Sequence, residues 1–292
     1  MNFKAANFEE RAVHFACAES WLCGIVSVPE QAFSRGAVIV VGGPQYRVGS
    51  HRQFTLLARH LATQGVPVMR FDYRGMGDSQ GDARTFESID DDLRCAIDQF
   101  IAEVPQIKEV VLWGLCDAAS AALFYAYQDQ RVTGLVLLNP WVRTEEGIAK
   151  ATLKHYYTAR LFERDLWQKI LRGRFDYGAT IKSAMALVSS AFLHKKSDAA
   201  EGSGNAHQNI SLPDRMYHGL NLFKGRTLVI LSGNDLTGKE FSDLIKGSKK
   251  WQKLISTSNV QRHELDGANH TFSRREWRDQ VVDWTCKWVK AE

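Results

Sequence analysis

Apolar and polar positions alternate through RAVHFACA and WLCGIVSVP, two stretches divided by Glu19 and Ser20, and this spacing predicts a pair of half-buried strands. GAVIVVGG follows as a continuous apolar run, suited to a strand covered on both faces. The period then changes. In RQFTLLARHLATQG the residues Phe54, Leu57 and Leu61 share one helical face, and Gly65 stands where a C-cap belongs. VPVMRFDYRG returns to strand, and FESIDDDLRCAIDQFIAEVP predicts an amphipathic helix. EVVLWGL is a fully apolar strand leading into the alanine-rich helix of DAASAALFYAYQDQ, and VTGLVLLNPW is the next strand. Strands alternating with crossover helices predict an α/β fold: a mostly parallel sheet with helices on both faces.

From Arg143 the pattern changes to helices without strands, ending in the polar stretch SDAAEGSGNAHQNIS. Residues 143–225 therefore read as a helical lid insertion, with a flexible loop near 197–211, set into a core of 1–142 and 226–292. The core pattern resumes with the strand RTLVILSG, a helix through FSDLIKGSKKWQKLI, the strand NVQRHEL and a closing helix EWRDQVVDWTCKWVK. That makes eight strands.

Composition narrows the class without naming a function. The 292 residues are 45% hydrophobic and 24% charged, enough apolar surface for a sizeable core, which excludes a disordered or fibrous chain. The net charge of +4 comes from basic residues interleaved with acids, so no nucleic-acid partner is implied. No run of eighteen apolar residues occurs, and MNFKAANFEERAVHF lacks the apolar core of a signal peptide. No membrane span and a cytoplasmic location are expected. The five cysteines, at 17, 23, 95, 116 and 286, are scattered and show no CxxC spacing. Neither a metal, a cofactor nor a disulfide framework is expected.

The chemistry concentrates at Gly114-Leu115-Cys116-Asp117-Ala118-Ala119-Ser120, where an apolar strand stops and a small-residue helix starts. A nucleophile on such a turn needs small neighbours, because strand and helix pass close together. Gly114 and Ala118 occupy those places, Ala118 standing where a second glycine is usual. A thiolate at a helix N-terminus is a competent nucleophile at neutral pH. The alternative is that Cys116 is a small buried residue with no chemical task.

A nucleophile of this kind requires a base and an acid later in the chain. Asp235 in LVILSGNDLTG follows a buried strand, and His270 in ELDGANHTFS lies on a loop before the last helix. His263 falls within a strand pattern and reads as structural; Asp266 is either a turn residue or a substitute acid. Donors for an oxyanion are expected from the backbone N–H of Asp117 and, since Pro44 has none, from Gln45 in Gly42-Gly43-Pro44-Gln45. The two glycines alternatively make only a tight turn. Asp72-Tyr73-Arg74-Gly75-Met76-Gly77-Asp78-Ser79 reads as loop architecture.

Taken in order, VVGGPQ, FDYRGMGDS, GLCDAAS, SGND and GANH resemble the α/β-hydrolase superfamily over nearly the whole chain. More narrowly, GGPQYRVGSHRQF with GLCDAAS looks like the hydrolase 1 family associated with the exosortase A system, found at bacterial PEP-CTERM and exopolysaccharide loci. The resemblance implies an acyl ester or thioester substrate, as a small molecule or on a carrier such as an acyl carrier protein. Cys116 would attack, His270 would move protons and Asp235 would orient the imidazole, with hydrolysis and acyl transfer both open. A non-catalytic scaffold and a dienelactone-hydrolase-like lactone-opening enzyme are the competing readings.

The insertion places Tyr156, Tyr157, Phe162, Trp167 and Phe175 at helical spacing, which reads as the lid's packing face or a substrate slot. Its basic excess, including Lys150, Arg160, Arg172 and Arg174, reads as a solvated face or a surface for an anionic carrier.

Overall fold

The computed structural model describes residues 7–43, 45–143 and 210–291. Two compact units divide the chain, Met1–Val142 with Pro213–Glu292, and Arg143–Leu212. Most of the expected insertion, with its aromatic and basic positions, lies outside the described residues.

Eight strands form one sheet: β1 (Phe8–Cys17), β2 (Ser20–Pro29), β3 (Arg35–Val40), β4 (Val68–Asp72), β5 (Glu109–Leu115), β6 (Val132–Leu138), β7 (Arg226–Ser232) and β8 (Val260–Leu265). Their order is β1-β2-β4-β3-β5-β6-β7-β8. Only the β1–β2 and β2–β4 pairings are antiparallel; β3 through β8 run parallel. The chain is an α/β-hydrolase fold, as its patterning indicates. One detail differs at the first hairpin, where Ser20 pairs with Cys17 and the turn is Ala18-Glu19, Ala18 sitting at φ 52°.

The helices among the described residues are α1 (Gln53–Thr63), α2 (Asp90–Glu103), α3 (Asp117–Tyr125), α4 (Leu212–Leu222), α5 (Leu236–Gly247), α6 (Lys249–Ile255) and α7 (Arg275–Lys290). Phe54, Leu57 and Leu61 of α1 and Val281, Val282 and Trp288 of α7 join Val111, Trp113 and Val136 in one apolar cluster. Phe54 meets Trp113 edge-on at 5.6 Å. Each such fully buried side chain contributes roughly 1.5–3 kcal/mol of transfer free energy.

Two readings of the helices are corrected. FSDLIKGSKKWQKLI was expected as one helix but breaks at Ser248, which is extended at φ −134° after Gly247, so that Trp251 of α6 is buried against Phe241 and Tyr217. The segment expected to reach residue 225 as insertion contains α4, which belongs from Pro213 onward with the sheet unit. A Cβ at Gly219 would lie 2.0 Å from Leu123 O, and the Arg215 guanidinium sits 3.8 Å from the Phe124 ring centroid. This glycine lets α4 lie directly on α3.

The Asp72–Ser79 segment is loop architecture in fact. Buried Asp72 accepts from the Arg47 backbone N–H at 2.6 Å, from its guanidinium and from Asp78 N–H at 3.1 Å. Arg74 forks onto buried Asp92 at 3.0 and 2.8 Å. These bonds fix the ends of β4 and α2 beside the carboxyl ends of the parallel strands, where open α/β sheets bind ligands.

Candidate active site

Cys116 occupies the turn between β5 and α3 with φ 65° and ψ −123°, a conformation that costs a non-glycine residue on the order of 1–3 kcal/mol. Neighbouring bonds hold it there. Its N–H donates to Leu138 O at 2.8 Å, and its carbonyl accepts from Ala119 at 3.1 Å and Trp141 at 3.2 Å. The buried Ser120 hydroxyl donates to Trp141 O at 2.7 Å, tying the chain beyond β6 to the first turn of α3. Gly114 is the small neighbour the turn requires, since a Cβ there would lie 2.6 Å from the Ala118 carbonyl. Ala118 is fully buried, so its methyl group is accommodated where the second glycine is usual.

His270 and Asp235 arrive on the turns after β8 and β7. His270 Nδ1 is 2.9 Å from Asp235 Oδ2, and the Cys116 thiol is the second hydrogen-bond partner of the imidazole. With Nδ1 committed to Asp235, Nε2 is the nitrogen left for the thiol. The structure thus brings Cys116, His270 and Asp235 together.

The electrostatics follow from these bonds. Asp235 holds the His270 pKa up to about 10, with the Cys116 bond adding to the effect and burial opposing it. Burial pushes Asp235 upward, but the bonds from His270 and the Gly238 N–H outweigh it and leave the carboxyl below its ordinary range. Asp235 is also the N-cap of α5, accepting from Gly238 N–H at 2.9 Å, and its side chain is only 9% exposed against 35% for His270. Such an arrangement can take a proton from a thiol and return it to a leaving group.

Asn139, just after β6, supports both loops and was not singled out by sequence reasoning. Fully buried at φ 42°, it accepts from Ser232 N–H at 2.9 Å and donates to Ser232 Oγ at 2.8 Å and to the His270 carbonyl at 3.1 Å. Its one sequence signal is a polar side chain ending the apolar run LVLL.

Other expectations separate. Asp266 is exposed in a turn and takes no part in the pairing, while His263 stacks on Trp284 at 4.4 Å, away from Cys116. The side chain of Gln45, whose backbone N–H was the expected second oxyanion donor, accepts from Ser50 N–H at 3.0 Å through Oε1. The N–H that the glycine turn presents to the Cys116 turn is that of Gly43, which donates to Asp117 Oδ2 at 2.8 Å. Among the described residues no three His, Cys, Asp or Glu side chains gather as a metal-binding group, and no helix is long and apolar enough to cross a membrane.

Residues 34–272 match the family model described as serine aminopeptidase, S33. The chain belongs to this family of α/β-hydrolases. In that family the turn after β5 ordinarily carries serine, and here it carries Cys116. No curated protein matches the sequence. Among solved structures, an esterase of Pyrococcus furiosus is similar with a TM-score of 0.64 at 14% identity, over 97% of this chain and 91% of that one. An α/β serine hydrolase without lid from Xanthomonas campestris gives 0.56 at 17%, covering 97% of both chains. The dienelactone hydrolase of Anabaena variabilis gives 0.59 at 15%, covering 96% of both. At these identities the likeness concerns the fold.

Proposed function

We propose that this α/β-hydrolase acts through Cys116 as nucleophile, His270 as proton carrier and Asp235 as the residue that orients the imidazole, cleaving or transferring an acyl group held as an ester or thioester. The observation that carries this reading is His270 suspended between Asp235 Oδ2 at 2.9 Å and the Cys116 thiol, with the cysteine on a strained strand-to-helix turn.

The steps follow from the geometry. The thiol proton passes to His270, and the thiolate sulfur attacks the acyl carbon, placing negative charge on the former carbonyl oxygen. Collapse breaks the bond to the leaving alkoxide or thiolate, which takes the proton from the imidazolium. The acyl group is now a thioester on Cys116. Water, an amine or a hydroxyl then gives a proton to His270, attacks the thioester and restores the thiol. Backbone N–H groups of Asp117 and Gly43 are the donors for the transient oxyanion, Gly43 being favoured over Gln45 because its N–H is the one that faces the Cys116 turn.

The resemblance of GGPQYRVGSHRQF and GLCDAAS to the exosortase-associated hydrolase 1 family favours a carrier-bound acyl thioester and a cytoplasmic setting. The basic positions of the insertion would then meet the acidic carrier, and R172E/R174E would slow turnover of carrier-bound but not free thioesters. A lactone is a cyclic ester open to the same steps, and the fold likeness to a dienelactone hydrolase supports that second reading. The intact His270–Asp235 pair argues against a non-catalytic scaffold.

The test is turnover of a panel of acyl thioesters, aryl esters and lactones by wild type and Cys116→Ala, with and without an added amine. Loss on the order of 10⁴-fold in the variant is expected. Undiminished turnover by Cys116→Ala would overturn the proposal. Faster product formation with amine than with water would assign transfer rather than hydrolysis.

A further inference from the structure

The steps above use the backbone N–H of Asp117 and leave its side chain without a task. That side chain lies among the very donors the oxyanion requires. Oδ2 accepts from Gly43 N–H at 2.8 Å, Oδ1 accepts from Ala118 N–H at 3.0 Å, and the carboxylate also accepts from its own N–H. The glycine turn is moulded around it: a Cβ added at Gly42 would stand 2.2 Å from Asp117 Oδ1 and 2.8 Å from Leu115 O. Imidazolium charge on His270 adds attraction from the other side.

We infer that the Asp117 carboxylate is the resident occupant of the oxyanion pocket, which an acyl oxygen must displace before Cys116 is acylated, so that Asp117 determines which acyl groups react. The inference rests on the reading of Cys116 as nucleophile. An oxyanion gains from preorganised N–H donors only when it reaches them, and a carboxylate already bonded to those donors competes for them. Its charge also opposes a second negative charge placed beside it. Neutral acyl groups therefore react after the Asp117 side chain rotates away, whereas acyl groups carrying their own carboxylate near the carbonyl are turned aside. The competing role is a brace, in which the bond to Gly43 merely holds the turn in place. The two roles predict opposite effects of removing the carboxylate.

The experiment compares two reagents on Cys116, read by mass spectrometry over time. p-Nitrophenyl acetate forms the sulfur–acetyl bond through an oxyanion, breaks the ester C–O bond and releases nitrophenolate with the electron pair, the thiol proton going to His270. Iodoacetamide alkylates the same sulfur by displacing iodide, with no oxyanion on its path. In Asp117→Ala the ratio of acetylation to alkylation rates should rise by about 10-fold or more over wild type. Asp117→Asn, which keeps the shape and loses the charge, should show a smaller rise. p-Nitrophenyl succinate should lag behind the acetate in wild type and gain on it in Asp117→Ala. An unchanged or lower ratio in Asp117→Ala overturns the inference and leaves the brace. If Asp117→Ala does not fold by circular dichroism, the ratio in Asp117→Asn decides. No modification of Cys116 by either reagent, in folded wild type and variant alike, removes the nucleophile reading and the inference with it.

Discussion

Two helices begin at this site with an aspartate, and the two carboxyl groups are shifted in opposite directions. Asp235 caps α5 and accepts from Gly238 N–H; Asp117 opens α3 and accepts from Gly43 and Ala118 N–H. Burial pushes both upward. For Asp235 the direct bond to His270 helps to overcome that push and hold the anion, whereas for Asp117, with backbone donors and only the more distant charge of His270, burial wins and the pKa is raised. An imidazole in contact makes one carboxylate a fixed anion. Its absence leaves the other to burial and backbone donors, in what we propose is the oxyanion pocket.

Removing the fixed member should have the largest effect. Asp235→Ala leaves His270 without its orienting partner, and kcat/KM for a thioester should fall on the order of 10⁴-fold. A loss under about 10-fold would contradict the orienting role of Asp235.

The pH profile sharpens the same point. With His270 raised from 6.5 to about 10, the imidazolium that protonates the leaving group disappears only as pH climbs through about 10, so the alkaline limb of kcat/KM should lie there. Asp235→Asn should move that limb downward, since the bond to Asp235 is the largest cause of the shift. Stability should follow the same sign: the contribution of His270 is whole below about 6.5 and is lost as pH rises through about 10. Equilibrium unfolding across that range tests it, and an unchanged midpoint would contradict the His270–Asp235 pairing.

Asn139→Ala should come next. Without its amide the β7 end and the His270 carbonyl lose their common tie, and misplacement of about 1 Å costs up to 10²-fold in kcat. Separate determination of kcat and KM distinguishes this from lost binding, which would appear in KM alone. The smallest effect is expected at Gly42→Ala, where the added methyl must displace the Asp117 carboxylate. Overpacking there should cost about 1–3 kcal/mol in denaturant unfolding. No cost would mean that the turn is not moulded around that side chain.

The parts of this site that could be read from the chain are those set by periodicity and order. Buried strands, crossover helices and the succession of Cys116, Asp235 and His270 are local patterns, and each appears as one run of residues. Gly114 was legible for the same reason, because a single strand-to-helix turn dictates it. Asn139 was hidden, since its partners Ser232 and His270 lie 93 and 131 residues further along the chain. The bond from Gly43 N–H to Asp117 was not legible, because knowing which residues own an N–H does not tell which way the turn points it. The Asp117 side chain escaped notice for a related reason: attention to its backbone N–H hid the carboxylate, which accepts from Gly43 and Ala118 N–H. Gly247-Ser248, read as mid-helix, divides α5 from α6 only because Trp251 has a buried place to reach.

Sulfur chemistry at Cys116 is tested most directly by the intact mass of the protein quenched within seconds of mixing with an acyl thioester. The predicted result is a species heavier by one acyl group, mapped to the peptide carrying Cys116, absent from Cys116→Ala and persisting longer in His270→Ala wherever it forms. Release of the free acid with the acyl group never found on Cys116, or found equally in Cys116→Ala, would contradict it.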